Sequence, residues 1–282
     1  MQMTDMLRPL FLFGPGYSAT VLAREWPGTV YGSVRQASQR SVLEAGGIVP
    51  VALNDRRALM AALKHSYLLI SAPPGATGCP ALTLLGEQVR TAHHVTYLST
   101  TGVYGDLQGG WAMDWTPPNP GSERAERRLA AETAWHAARP DVCRVRLPGI
   151  YGPGRSVFDR IAAGRARRIC KADQVFSRIH VVDLARGLKA LMQAGQSGVF
   201  NLCDELAAPP QDVVHYACTL SGHTPPPEIP FAPADLSAMA RSFYAECKRV
   251  SNAKIKAATG WRPGFASYRE GLADIYRQMQ TA

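Results

Sequence analysis

Cysteine is sparse and scattered in this chain. Six residues of 282, Cys79, Cys143, Cys170, Cys203, Cys218 and Cys247, lie far apart with no C-x-x-C pair. That excludes a zinc knuckle and a disulfide framework, and it predicts reduced thiols. Long hydrophobic runs are missing as well. The longest fall far short of the roughly 18 apolar residues that span a bilayer, and PLFLFG at 9–14 is too short for a secretory core segment. No membrane partner is therefore expected, and the chain reads as cytoplasmic. Internal repeats and low-complexity tails are also absent.

What is present is ordinary for a folded domain: 46% hydrophobic and 19% charged residues, enough apolar surface to rule out an extensively disordered chain. Lys and Arg number 31 against 22 Asp and Glu, a net charge of +9 that favours anionic partners. The densest basic cluster, GRARRICK at 164–171, lacks the interleaved aromatics of a single-strand groove and reads as a solvated loop. Nucleic acid is thus not the expected partner. A small polar or phosphorylated molecule is, and a homodimer is compatible with the reading.

Short apolar runs alternate with longer amphipathic ones. LFLF at 10–13, TVYGSV at 29–34, YLLIS at 67–71, HVTYLS at 94–99 and VCRVRL at 142–147 predict strands; helices are expected near 17–26, 38–45, 55–64, 79–92 and 122–138. This rhythm predicts an α/β fold, a Rossmann-like doubly wound parallel sheet. After about residue 150 it loosens, with a helix at 181–193, a strand VFNLC at 199–203 and a helix near 210–221. TPPPEIPFAP at 224–233 reads as a stiff loop, and Gly260 as a helix cap. The expected organisation is a dinucleotide-binding domain over 1–150, to which 178–205 returns, and a smaller C-terminal substrate lobe over 151–282.

Directly after the first strand, GPGYSA places Gly14, Gly16 and Ala19 in a G-x-G-x-x-A pattern. A strand before it and a helix after it are the context in which backbone amides reach a pyrophosphate, so Gly14, Gly16, Tyr17 and Ser18 are expected at the cofactor. About 20 residues on, an NAD site would carry a carboxylate for the ribose 2′-hydroxyl. Here the sequence is GSVRQASQR. With Ser33, Arg35 and Arg40 and no acid, a 2′-phosphate is favoured and NADP is preferred over NAD. The alternative is that Arg35 is a solvated loop residue.

Four further segments carry a family resemblance: YLSTTGVYGD at 97–106 with DWTPPNP at 114–120, RLPGIYGPG at 146–154, RIHVVDLA at 178–185 and VFNLCDE at 199–205. Together they resemble the extended short-chain dehydrogenase/reductases, the NAD-dependent epimerase/dehydratase family. The resemblance implies a Ser or Thr at the end of the fifth strand, which falls on Thr100, and a Tyr-x-x-x-Lys pair on the next helix that works as acid/base and ribose anchor. Aligned on LAAE, those two positions fall on Arg124 and Arg128. A guanidinium stays protonated and cannot relay a proton. The chain therefore resembles the atypical members that lack the pair, while YAECK at 244–248 lies over 100 residues too late to supply it.

The expected catalytic set is Thr100, Arg124, Arg128 and Tyr104. Ser71, Ala72, Pro73, Thr100, Arg128 and Pro148 join Ser33, Arg35 and the glycine loop as cofactor contacts; Tyr151, Arg178 and His180 are the expected substrate contacts. No metal site is expected. Function is expected to be that of an NADP-binding oxidoreductase or epimerase acting on a nucleotide-sugar-like or other polar substrate. The alternative is a catalytically inactive NADP-binding sensor.

Overall fold

A computed structural model describes residues 8–281. Seven parallel strands form its central sheet: β1 (Leu10–Phe13), β2 (Val30–Val34), β3 (Val49–Ala52), β4 (Tyr67–Ile70), β5 (His94–Thr100), β6 (Cys143–Leu147) and β7 (Gly198–Asn201). Their spatial order is β3-β2-β1-β4-β5-β6-β7. This is the doubly wound order, whose direction of progression reverses between β1 and β4. β1 and β4 are buried throughout, which is why they read as unbroken apolar runs.

Helices α1 (Tyr17–Glu25), α2 (Arg40–Ala45), α3 (Arg56–Leu63), α4 (Pro80–Leu85) and α5 (Glu123–Ala138) cross between the early strands. Their starts are chemical: the Asp55 carboxylate accepts from the Ala58 amide at 2.9 Å, and Ser122 caps α5. One apolar layer, with Leu10, Leu12, Leu22, Leu98 and Leu188, covers one face of the sheet. Phe11, Phe13, Leu68, Tyr97 and Trp135 cover the other.

Helices α6 (Val157–Ala162), α7 (Val181–Gln193), α8 (Pro210–Leu220), α9 (Ala238–Phe243), α10 (Ala253–Thr259) and α11 (Tyr268–Thr281) complete the chain. Around Phe158, Val213, Val214, Leu272 and Ile275 a separate apolar cluster forms, between α6, α8 and α11. Three separate two-stranded parallel pairs complete the fold: 149–151 with 178–180, 168–170 with 228–230, and 111–112 with 249–250.

Several local expectations are corrected. β3 was not foreseen because Pro50 interrupts its pattern, yet β3 ends the sheet, where a missing amide donor is tolerated. The helix expected at 79–92 stops at Leu85, since Gly86 takes φ +53°, and continues as a 3-10 turn. GRARRICK is a solvated loop only over 164–167: Arg168–Cys170 is a strand, Arg168 pairs with Glu228 at 2.6 Å, and the partner strand lies inside the proline-rich 224–233 segment. Tyr244 and Lys248 do not share a helix, because α9 ends at Phe243.

Candidate active site

The site grows from the C-terminal ends of β1, β4 and β5, at the point where the strand order reverses. Gly14 takes φ +85°, and a Cβ there would meet Ala72 Cβ at 2.9 Å, so only glycine lets the loop after β1 pass the loop after β4. Two hydrogen bonds fix that passage: the Gly14 amide donates to Ser33 Oγ at 2.9 Å, and the Ser71 hydroxyl donates to the Gly14 carbonyl. A Cβ on Gly16 would meet nothing closer than 3.9 Å, so this side of the loop stands open.

Gly16 begins α1 without a side-chain cap, and no acid sits in the helix's first turn. Its free amides and positive dipole end suit an anion. These features fit a dinucleotide pyrophosphate. Tyr17 and Ser18 open α1; Ser18 is buried, and the Tyr17 hydroxyl donates to the Pro153 carbonyl at 3.1 Å with Arg155 over its ring at 5.7 Å. Tyr17 thus bridges the glycine loop to the GPG turn at 152–154.

At the end of β2, Ser33 is buried with its oxygen engaged by Gly14, so its role is to brace the loop. Arg35 is exposed and has no ion-pair partner among the described residues; Gln39 Oε1 accepts from its backbone amide at 3.1 Å. Its guanidinium is available to an outside anion. Ala72 and Pro73 follow Ser71 along the other wall of the loop, and Pro148 follows β6, half-buried.

Thr100 ends β5 and caps a 3-10 turn over 101–104: its Oγ1 accepts from the Gly102 amide at 3.1 Å. That leaves the hydroxyl proton free to donate. The first turn of α5 abuts this turn, since a Cβ on Gly102 would lie 3.7 Å from Ala125 Cβ. Arg124, beside Ala125, is exposed without an ion-pair partner among the described residues. Arg128, one turn on, is half-buried; it donates to the Leu98 carbonyl at 2.6 Å and lies 5.8 Å from the Tyr97 ring centre. The two arginines diverge, one into solvent and one onto β5.

Tyr104, Tyr151 and His180 are not brought to this cleft. Tyr104 is fully buried and donates to Asn201 Oδ1 at 2.8 Å; burial raises its phenol pKa, with Arg146 acting against it. Tyr151 donates to the Ser267 carbonyl at 3.4 Å and packs edge-on to His180, whose ring burial drives its pKa down to about 4. Arg178 is half-buried and donates to the carbonyls of Phe176 and Ala208.

Beneath the turn lies a buried polar network that residue-type reasoning missed. Arg146 on β6 meets Glu132 on α5 through two hydrogen bonds of 3.0 and 2.7 Å, Ser99 donates to the same carboxylate, and the Arg146 guanidinium covers the Tyr104 ring at 4.7 Å. The signal was an arginine facing inward in the apolar strand VCRVRL. Among the described residues, no cluster of three His, Cys, Asp or Glu could hold a metal, and no helix is long and apolar enough to cross a membrane.

This geometry agrees with what the chain is similar to. Residues 81–203 match the NAD dependent epimerase/dehydratase family. The solved structure of a functionally unknown conserved protein from Silicibacter pomeroyi is 40% identical, covers 97% of this chain and 99% of its own, and superimposes with a TM-score of 0.90. The match to the family's model takes in less than half of the chain, which is similar to that family over those residues. Among named relatives, a 3-diazoavenalumate denitrifying reductase from Streptomyces is 30% identical over 55% of this chain and 54% of its own length. A dTDP-4-dehydrorhamnose reductase from Mycobacterium tuberculosis is 35% identical over 39% of each chain. The chain therefore matches only about half, or less, of these two relatives.

Proposed function

We propose that the protein is an NADP-dependent oxidoreductase that exchanges hydride with a small polar substrate of nucleotide-sugar-like or related character. The observation that carries this reading is the open, amide-lined glycine loop at the strand reversal, with Arg35 at the end of β2 unpaired among the described residues. Arg35 would hold a 2′-phosphate as a charge-assisted pair, and the α1 amides would hold the pyrophosphate. Both named relatives are reductases, one of a dTDP-linked sugar, which supports redox chemistry over simple binding.

Bound here, the nicotinamide cofactor would supply or accept hydride. The chain's own part is to orient and to stabilise charge. Thr100 Oγ1, held by the Gly102 amide, would donate to a substrate oxygen, and Arg124 on the abutting helix turn would stabilise negative charge there. Arg128, anchored on the Leu98 carbonyl, stands where the family resemblance puts the ribose-anchoring cation. The test is calorimetric titration with NADP and NAD, followed by NADPH oxidation assayed against dTDP-linked and UDP-linked keto sugars.

The second reading is a sensor that binds NADP without turnover. It is favoured by the burial of Tyr104, Tyr151 and His180, which leaves Thr100 without a titratable neighbour of the usual kind. NADP binding without turnover of any carbonyl substrate tried would select it.

A further inference from the structure

A dinucleotide presents a negatively charged pyrophosphate to its glycine loop, yet this loop offers it only neutral donors. Residues 14–20, GPGYSAT, carry no charged side chain, and neither do residues 71–79, SAPPGATGC, along the facing wall. Amides and a helix dipole alone leave a place for a cation that arrives from elsewhere in the chain.

The turn after residues 149–151 carries an arginine to that place. Its backbone is closed on itself: the Gly152 amide donates to the Arg155 carbonyl at 3.2 Å, and the Arg155 amide to the Gly152 carbonyl at 3.0 Å. Gly154 takes φ +71° at the bend, which glycine allows without strain. Ser156 then caps α6, and its amide and hydroxyl both donate to Asp159 Oδ2. Arg155 is therefore fixed from both sides.

This turn packs on the first residue of α1. The Tyr17 hydroxyl donates to the Pro153 carbonyl at 3.1 Å, and a Cβ on Gly152 would collide with that hydroxyl and with Val181, so the close approach requires glycine. Over the same ring lies the Arg155 guanidinium, 5.7 Å from its centre. Since Tyr17 directly follows Gly16, the cation stands beside the open, amide-lined start of α1.

That charge has no carboxylate partner among the described residues. Arg155 is exposed, and Asp159, the nearest acid along the chain, is committed to Ser156. Stacking on the tyrosine ring restricts the guanidinium before any ligand arrives, which lowers the ordering cost of binding.

We propose that Arg155 is the cation of the pyrophosphate site, reaching past the Tyr17 ring to the phosphates that the α1 amides hold. It rests on the dinucleotide reading of the glycine loop and deepens it, with a role separate from that of Arg35, which is assigned to the 2′-phosphate alone.

The test is calorimetric titration of the full chain and of Arg155→Met with NAD and with NADP, at ionic strengths of about 0.05 M and about 0.5 M. Methionine keeps an apolar stem on the Tyr17 ring and removes the charge. Because both cofactors contain the pyrophosphate, Arg155→Met should weaken NAD and NADP by the same factor, about tenfold at the lower salt. Screening should shrink that factor to about threefold or less at the higher salt, and Arg155→Lys should keep part of the affinity. A loss confined to NADP would move Arg155 to the 2′-phosphate, a loss that salt does not change would make it a brace for Tyr17, and no loss would remove it from the site. Each of these overturns the proposal and leaves the dinucleotide reading standing. A parent chain that binds neither cofactor would overturn that reading and this proposal with it.

Discussion

Glu132 and Arg146 form a two-pronged ion pair, 2.7 Å at its shorter limb, with both side chains at most 5% exposed. It joins α5, which bears Arg124 and Arg128, to β6, and through Ser99 to the strand that ends at Thr100. Removing one partner leaves a charge buried and unpaired, at a cost of about 3–5 kcal/mol, whereas replacing both by apolar residues of similar volume is far cheaper. Glu132→Gln should therefore lower stability by about that amount in urea unfolding, and Glu132→Met with Arg146→Leu should recover most of it. Equal losses in the single and double variants would remove the pair from its structural role.

Asp204 is 4% exposed, with the backbone amides of Leu206 and Arg178 beside its carboxylate. Burial pushes its pKa up to about 8, against the pull of Arg178. Unfolded, the group ionises near 4, so from about pH 4 to about 8 the folded state keeps a proton that the unfolded state has lost. Stability from this group falls as pH rises through that window. Asp204→Asn should accordingly gain on the parent with rising pH, by up to about 5 kcal/mol at pH 8 and by little below pH 4. His180, lowered to about 4 by burial, slopes the other way in both proteins and cancels in the difference. A difference that does not vary with pH would refute the prediction.

The strand, glycine loop and α1 were legible in the chain, because a buried parallel strand reads as LFLF and a left-handed turn demands glycine at Gly14. The direction of the strand-end side chains was not. Tyr151 and His180 stand opposite each other in adjacent short strands, and a one-residue shift decides whether such residues face a cleft or a core. Both face the core. The Glu132–Arg146 pair was hidden for a different reason: residues of charged type are ordinarily placed at the surface, and only tertiary packing brings these two inside. Likewise β3 was masked by Pro50, whose cost vanishes at a sheet edge.

Cofactor preference should rest on Arg35. Its guanidinium is solvent-facing and unpaired among the described residues, so Arg35→Ala should leave the fold and NAD affinity unchanged. NADP affinity should fall roughly 10- to 150-fold, the worth of one charge-assisted bond of about 1.5–3 kcal/mol. Parallel calorimetric titrations of both cofactors check this. Equal losses for the two would place Arg35 away from the 2′-phosphate.

The two arginines of α5 should separate by function, because the structure sends them different ways. Arg128 is held on the Leu98 carbonyl beside Tyr97, so Arg128→Ala removes an anchored cation and should weaken NADP binding by about 1–3 kcal/mol. Arg124 is exposed beside the Thr100 turn and makes no ion pair among the described residues, so Arg124→Ala should leave cofactor affinity intact. If Arg124 stabilises charge on the substrate oxygen, its loss should lower kcat by about 10²–10³-fold, the usual cost of one oxyanion donor, with a smaller change in KM. Arg124→Lys keeps the charge and should restore part of that rate. A loss confined to KM would make Arg124 a binding group for an anionic substrate instead, and unchanged kinetics in both variants would show that neither arginine serves the cleft.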